Sequence, residues 1–449
     1  MRRQKEVIGI VNGMVMQRND KNVSEIVITD VSEILSATYS GETSGELHFE
    51  KVEQGWKMTG IPVGGPYTVT INQEVFRDIY VGDLWILAGQ SNMVGMGWLT
   101  DEDKQYPEDE GVRALYMEDK WGIAKHRLHR PWLAVDKVHT EVIKASPGKY
   151  PEKIGAGPGM TFAIAMKKYT NVPQGVICCA HGGTTMAQWN PELLKEGPDK
   201  SLFAAMIRRF KANGSHVRGM FWYQGCNDAV QEQDNRDAFS NNMQRFVEAT
   251  RRECGMIPIV QVQIGNIVML ECGQWDVNWT EIREQQRVMA TRFPLFDTIS
   301  AISMETDDGI HLASASQKKL GETAAESMYA LISGDEEFLL SPKYKSHKVY
   351  SAWMDGYTVI DVEYDNVYGE LQAEGKPYGF EISFAKDRLT HRQVCNISLE
   401  GNHVLVRVGR DIEKLEGWYL FYGFGVNPYC NITDSHGRRI PAMGPINIM

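Results

Sequence analysis

Leu84-Trp85-Ile86-Leu87-Ala88-Gly89-Gln90-Ser91-Asn92-Met93 is an unbroken apolar run that ends in a glycine and small polar side chains. Continuous rather than alternating hydrophobicity suits a parallel strand covered on both faces. The pattern recurs. Residues 176–180 precede His181-Gly182-Gly183-Thr184, residues 220–223 precede Gln224-Gly225-Cys226-Asn227-Asp228, and residues 299–304 precede Asp308-Gly309-Ile310-His311. Residues 259–264 form one more such run. Between them the apolar spacing is helical at 161–169, 202–210 and 281–293, and Leu320, Ala324, Met328 and Leu331 mark one face of a closing helix. Strand–helix alternation predicts a doubly wound α/β sheet over residues 81–335.

The flanks read differently. In residues 1–80, Tyr67, Val69 and Ile71 alternate with Thr68, Thr70 and Asn72, the period of a half-buried strand. Residues 25–31 are a second candidate strand, and Gly64-Gly65-Pro66 is expected to be a turn. Residues 340–449 return to β: Phe380, Ile382 and Phe384 alternate with Glu381 and Ser383, and Val404, Val406 and Val408 with Leu405 and Arg407. Gly425-Val426-Asn427-Pro428 punctuates, and a C-terminal β-sandwich domain is predicted.

A chain of 449 residues exceeds one ordinary domain. Lys and Arg number 47 against 58 Asp and Glu, a net charge of −11 without a long basic run, which argues against nucleic acid and anionic membrane surfaces as partners. No apolar stretch approaches the ~20 residues of a spanning helix. No apolar segment follows the basic Met1-Arg2-Arg3-Gln4-Lys5, so no signal peptide is read. The seven cysteines lack a disulfide-like spacing, and the adjacent Cys178 and Cys179 are expected to be buried thiols. A reducing, cytoplasmic setting is the expectation.

Sites in open α/β sheets form outside the carboxyl ends of the strands, where all four polar signatures fall. Acyl-transfer hydrolysis needs a nucleophile, a base held by an acid, and donors for an oxyanion. Ser91, in its tight turn, is the candidate nucleophile; a helix N-cap is the structural alternative. Its own N–H and those of Gly182 and Gly183 can donate to an oxyanion. Gln224 and Asn227 each carry an NH2 donor. Asp308 lies three residues before His311 and can hold its Nδ1, leaving Nε2 for the serine; Asp307 is a second candidate for that role. Gln90, Asn92, Trp98 and Trp189 are the candidate substrate contacts.

Other features invite competing readings. Gly155-Ala156-Gly157-Pro158-Gly159 lacks the full dinucleotide fingerprint and reads as a flexible loop. His126, His129 and His139 lack a completing cysteine or carboxylate pattern, so they are expected at the surface rather than on a metal. His181 is expected to be a loop histidine, since nothing near it in sequence would orient its ring. Cys226 is a weaker nucleophile candidate than Ser91.

Together these blocks resemble the sialate O-acetylesterase family of the SGNH hydrolases, which is related to the carbohydrate acetylesterases. Gly89-Gln90-Ser91-Asn92-Met93 is similar to that family's nucleophile block, His181-Gly182-Gly183-Thr184 with Trp189 to its Gly-Gly-Thr block, and Trp222-Tyr223-Gln224-Gly225 to its Trp-x-Gln-Gly block. Asp308 and His311 resemble its terminal pair. Gly13-Met14-Val15-Met16-Gln17-Arg18, Gly64-Gly65-Pro66-Tyr67, Val81-Gly82-Asp83-Leu84-Trp85, Arg283-Glu284-Gln285-Gln286 and Ile440-Pro441-Ala442 extend the likeness along the chain. The resemblance implies a flavodoxin-like, three-layer SGNH domain with flanking β domains. It also implies deacetylation of an O-acetylated sugar or oligosaccharide without metal or cofactor, with Ser91, His311 and Asp308 as triad. The oxyanion hole would then draw on Ser91, Gly182, Gly183 and Gln224. The family usually has Glu where this chain has Cys226; Gly225-Cys226-Asn227-Asp228 instead matches the Gly-x-Asn-Asp block of the wider superfamily, leaving Gln224 and Asn227 as alternative donors. The competing substrate is an acetylated xylo-oligosaccharide. The competing class is a non-catalytic carbohydrate-binding protein, and an esterase or thioesterase for longer acyl chains is a weaker third reading.

Overall fold

The computed structural model describes residues 8–105, 108–144, 151–231, 236–270, 273–352, 357–387 and 393–449. The basic segment Met1-Arg2-Arg3-Gln4-Lys5 lies outside the described residues. The chain divides into two compact units. One comprises Met1–Trp222, Arg245–Ile259 and Gln317–Ala325; the other comprises Tyr223–Gln244, Val260–Ser316 and Glu326–Met449.

The first unit is organised by the 16-residue strand Glu74–Gly89. Up to Asp78 its side chains are partly or fully exposed; from Ile79 onward every residue is buried. The change follows its neighbours. The early part pairs antiparallel with Gly64–Ile71, the middle pairs parallel with Val15–Gln17, and Asp83 to Leu87 pair parallel with Gln174–Cys178. Gln174–Cys178 in turn pairs parallel with Val112–Leu115, which pairs antiparallel with Trp121–Ile123. Gly219–Tyr223 is the neighbour on the other side of Glu74–Gly89. The result is a mixed sheet with parallel strands at its centre. Helix Gly159–Thr170 covers it through Phe162, whose ring meets Trp85 at 5.4 Å and Phe221 at 5.2 Å.

Two departures from the sequence reading have plain causes. Gly64-Gly65-Pro66 is not a turn: it opens the strand Gly64–Ile71, and the register slips between the Gly64–Val81 and Tyr67–Ile79 pairs. Gly65 has φ +128°, and a Cβ there would sit 2.7 Å from the Ile79 carbonyl oxygen. The strand Val112–Leu115 was not anticipated because Arg113 interrupts its apolar run. The guanidinium is buried all the same, donating to the Gly13 carbonyl at 2.8 Å and to Asp78 at 2.5 Å.

In the second unit, Ile259–Gln263 neighbours Phe296–Ser300, and helix Gln274–Met289 begins earlier than the apolar spacing suggested because Asp276 caps its start, accepting from the Gly273 N–H at 2.8 Å. The remainder is β. Lys343–Ala352, Tyr357–Asp365, His403–Val408 and Val394–Glu400 form one antiparallel sheet; Phe380–Ser383, Tyr419–Tyr422 and Met443–Asn447 form another. They share a core that includes Ile360, Val362, Val404, Val406, Ile382 and Leu420. Phe384, expected to continue the alternation, lies past its strand and is exposed.

Candidate active site

Ser91 opens the short helix Ser91–Val94, directly after the carboxyl end of Glu74–Gly89. Gly89 has φ +133°, which turns the chain sharply out of the sheet. The N-cap is Gln90, so Ser91 is not the capping residue; the Gln90 carbonyl accepts from the Val94 N–H at 2.9 Å. Ser91 is 8% exposed and Gln90 and Asn92 are buried. Asn92 is tied to the scaffold: its Oδ1 accepts from the Gln317 amide at 3.0 Å.

The His181-Gly182-Gly183-Thr184 turn is anchored to the same strand end. The His181 N–H donates to the Gly89 carbonyl at 2.9 Å. The Thr184 hydroxyl donates to the His181 carbonyl at 2.9 Å and accepts from the Trp189 indole N–H at 3.1 Å. Gly182 is buried, whereas Gly183 is exposed with φ +73°. Trp189 is fully buried, its ring 5.1 Å from Trp222, so it presents no face to a sugar; Trp98 is 41% exposed and has the Lys153 ammonium 3.7 Å above its ring.

The histidines expected at the surface are inside. His129 is buried, near the Leu87 carbonyl, and burial pushes its imidazole down to about 3. His126 is largely covered and lies 3.8 Å from Asp103. His139 is buried, and its Nδ1 meets the Nδ1 of His181 at 3.0 Å. His181 therefore does have an orienting partner, 42 residues away in the chain. Among the described residues no group of three or more His, Cys, Asp or Glu could hold a metal ion.

In the second unit, Gly225 caps the short helix Cys226–Ala229 with φ +134°. Gln224 is fully buried; its side-chain amide N–H donates to Asp228 at 2.9 Å and its backbone carbonyl accepts from Gln286 at 2.7 Å. Asn227 is only half-buried. Burial pushes the Cys226 thiol up to about 12, which keeps it protonated near neutrality and unsuited to attack. Cys178 and Cys179 are buried free thiols.

Asp308 and His311 form a closed loop assembly. The His311 Nδ1–H donates to Asp308 Oδ2 at 2.7 Å, while the Ile310 and His311 N–H groups both donate to Oδ1 at 2.8 Å. Asp308, not Asp307, is the partner. Burial raises the Asp308 carboxyl, but those bonds outweigh it and hold the group below the usual carboxylate range. With Nδ1 occupied, Nε2 is the nitrogen left for proton transfer. Sequence reading did not find Gln317, and it named Asp228, Gln286 and His139 without these contacts, because no local pattern gives a side chain's partner.

A serine on a sharp strand-to-helix turn and a histidine held through Nδ1 by a carboxylate are parts of the hydrolases that act by acyl transfer. The profile of the carbohydrate esterase, sialic acid-specific acetylesterase family matches residues 81–330, more than half of the chain, and the protein belongs to that family. It is thereby a carboxylic ester hydrolase of the carbohydrate acetylesterase kind. No curated protein sequence matches it. Among solved structures, a carbohydrate acetylesterase from Xanthomonas citri is similar at 20% identity and TM-score 0.72, covering 97% of this chain and 98% of that one. That is a likeness of fold over nearly the full length. A protein from Arabidopsis thaliana gives 23% identity, TM-score 0.43 and coverage of 55% and 98%; a carbohydrate acetylesterase from Sinorhizobium meliloti gives 13%, 0.34, and 56% and 100%.

Proposed function

We propose that the protein is a serine esterase that removes O-acetyl groups from a carbohydrate, with sialic acid as the substrate and an SGNH-type domain over residues 81–335 as its catalytic part. The observation that carries this reading is the Asp308–His311 assembly, with Nδ1 bound at 2.7 Å, in a chain that belongs to a carbohydrate esterase family. In this reading His311 Nε2 takes the proton of Ser91 as Oγ attacks the ester carbonyl. The tetrahedral oxyanion receives hydrogen bonds from the Ser91 N–H and from a Gly182 or Gly183 N–H. Collapse expels the sugar hydroxyl, which takes its proton from His311. Water deprotonated by the same nitrogen then releases acetate from Ser91.

The side-chain donor is Asn227. Gln224 is fully buried, with an N–H of its amide on Asp228, whereas Asn227 retains exposure. Gln90 and Trp98 are assigned to substrate contact, and the regions 1–80 and 340–449 to flanking β domains.

The test is acetate release from p-nitrophenyl acetate and from a panel of O-acetylated sialic acids and xylo-oligosaccharides, comparing the parent protein with Ser91→Ala. Loss of at least ~10³-fold is expected on removal of a triad nucleophile. Parent-like activity in Ser91→Ala overturns the serine mechanism, and faster release from xylo-oligosaccharides overturns the substrate.

A further inference from the structure

We propose that His139 is a positioning residue for deacetylation: through His181 it fixes the loop that presents the Gly182 and Gly183 N–H groups. The inference rests on the reading above of Ser91 as nucleophile and of this loop as an oxyanion donor.

His139 stands on helix Lys137–Lys144 and, against the expectation of a surface histidine, is buried. His139 and His181 are 1% and 2% exposed, with ring centroids 5.1 Å apart. The contact joins the same atom of two imidazoles, Nδ1 to Nδ1, at 3.0 Å. One nitrogen must donate and the other accept, so in the neutral pair the rings are opposite tautomers. Burial favours that neutral pair. Together with His181, Arg209, His129 and Arg208 it holds the His139 imidazole well below its ordinary range. The charge of Arg208 is itself taken up by Asp136 at 2.6 Å and Asp119 at 2.8 Å.

The contact adds an anchor to the loop. The loop is tied at the His181 N–H to Gly89 and through the Thr184 hydroxyl to the buried Trp189, but between those ties lie two glycines, one exposed and with positive φ. Glycine supplies the close approach and costs stiffness. The His181 ring, clamped by His139, is the side-chain restraint immediately before them. A backbone donor aimed at a developing oxyanion works only within about 0.5 Å of its productive place, and displacement by ~1 Å costs on the order of 10²-fold in rate.

The experiment uses the full chain. His139→Asn keeps a hydrogen-bonding atom at the Nδ1 position. His139→Leu removes it at similar bulk, and His139→Gln carries its amide one methylene too far. kcat and KM are measured for p-nitrophenyl acetate and for an O-acetylated sugar, with thermal melting as a control on folding. His139→Leu and His139→Gln are expected to lower kcat at least ~10-fold with KM changed less than about 3-fold, and His139→Asn to stay within about 3-fold of the parent. Equal loss in Asn and Leu variants overturns the proposal, as does a parent-like kcat in both Leu and Gln variants. Should the Leu variant fail to fold, the Asn–Gln comparison decides. Parent-like activity of Ser91→Ala would instead sink the serine mechanism itself, independently of any His139 result.

Discussion

Asp308 illustrates how much one carboxylate does here. Its two oxygens accept three hydrogen bonds from residues 310 and 311, and its carboxyl lies below the ordinary range as a result. Because the folded value is depressed, the stabilising contribution is present above the unfolded aspartate value near ~3.9 and is lost as pH falls through the folded one. Asp308→Asn should therefore melt below the parent by a constant margin from neutrality down to about pH 5, with the margin closing below about pH 4. A margin unchanged at pH 3 would show that ionisation is not what holds the loop. The same variant is expected to lose about 10⁴-fold in kcat, as when the orienting acid of a triad becomes an amide; loss below about 10-fold would remove Asp308 from that role. This assembly was legible in the sequence because its partners share one short loop. The His139–His181 contact was not, since its two halves lie in different segments and no local pattern links them. The buried histidines were misjudged for the same reason: a polar residue's burial depends on partners that periodicity does not reveal.

Among the elements, the apolar runs after residue 81 marked the central strands well, because burial on both faces leaves a plain compositional trace. Where a strand carried a satisfied charge, as at Arg113, that trace disappeared. The turn after Gly219–Tyr223 has its own constraint. Gly225 has φ +134°, and a Cβ there would lie 2.8 Å from Gln286 Nε2. Gln286 has little freedom to move aside: it donates to the Gln224 carbonyl at 2.7 Å and accepts from the Ile264 N–H at 2.9 Å. Gly225→Ala is accordingly expected to cost about 1–3 kcal/mol through backbone strain, read by urea unfolding, and to lower kcat by displacing the Gln224–Asp228 segment. A fully stable, fully active variant would show that this conformation is dispensable.

For the whole molecule, the sequence foretold an α/β centre with β regions on either side of it in the chain. What it could not show was how the C-terminal β region is locked. Arg438 is 1% exposed; it donates to Asp434 at 2.9 Å, to the carbonyls of Leu339 and Leu340 at 2.8 Å and 3.0 Å, and to that of Asn366 at 2.7 Å. Asp434 is fully buried, so removing the guanidinium strands a charge. Arg438→Met should cost about 3–5 kcal/mol, measured by chemical denaturation; a loss under about 1 kcal/mol would place the lock elsewhere.

The strand Glu74–Gly89 bears on how such a protein can be taken apart or assembled over evolution. Its first half belongs to the β-rich start of the chain and its last residue is the hinge of the Ser91 turn. A gene fusion or truncation at residue 80 would cut through one continuous ladder, removing Val15–Gln17 and Gly64–Ile71 from the backbone that delivers the serine. The start of the chain and the Ser91 turn are thus joined by one backbone element. A substitution that shifts this ladder acts on the same strand that leads, at its far end, into the residue on which the chemistry is proposed to occur.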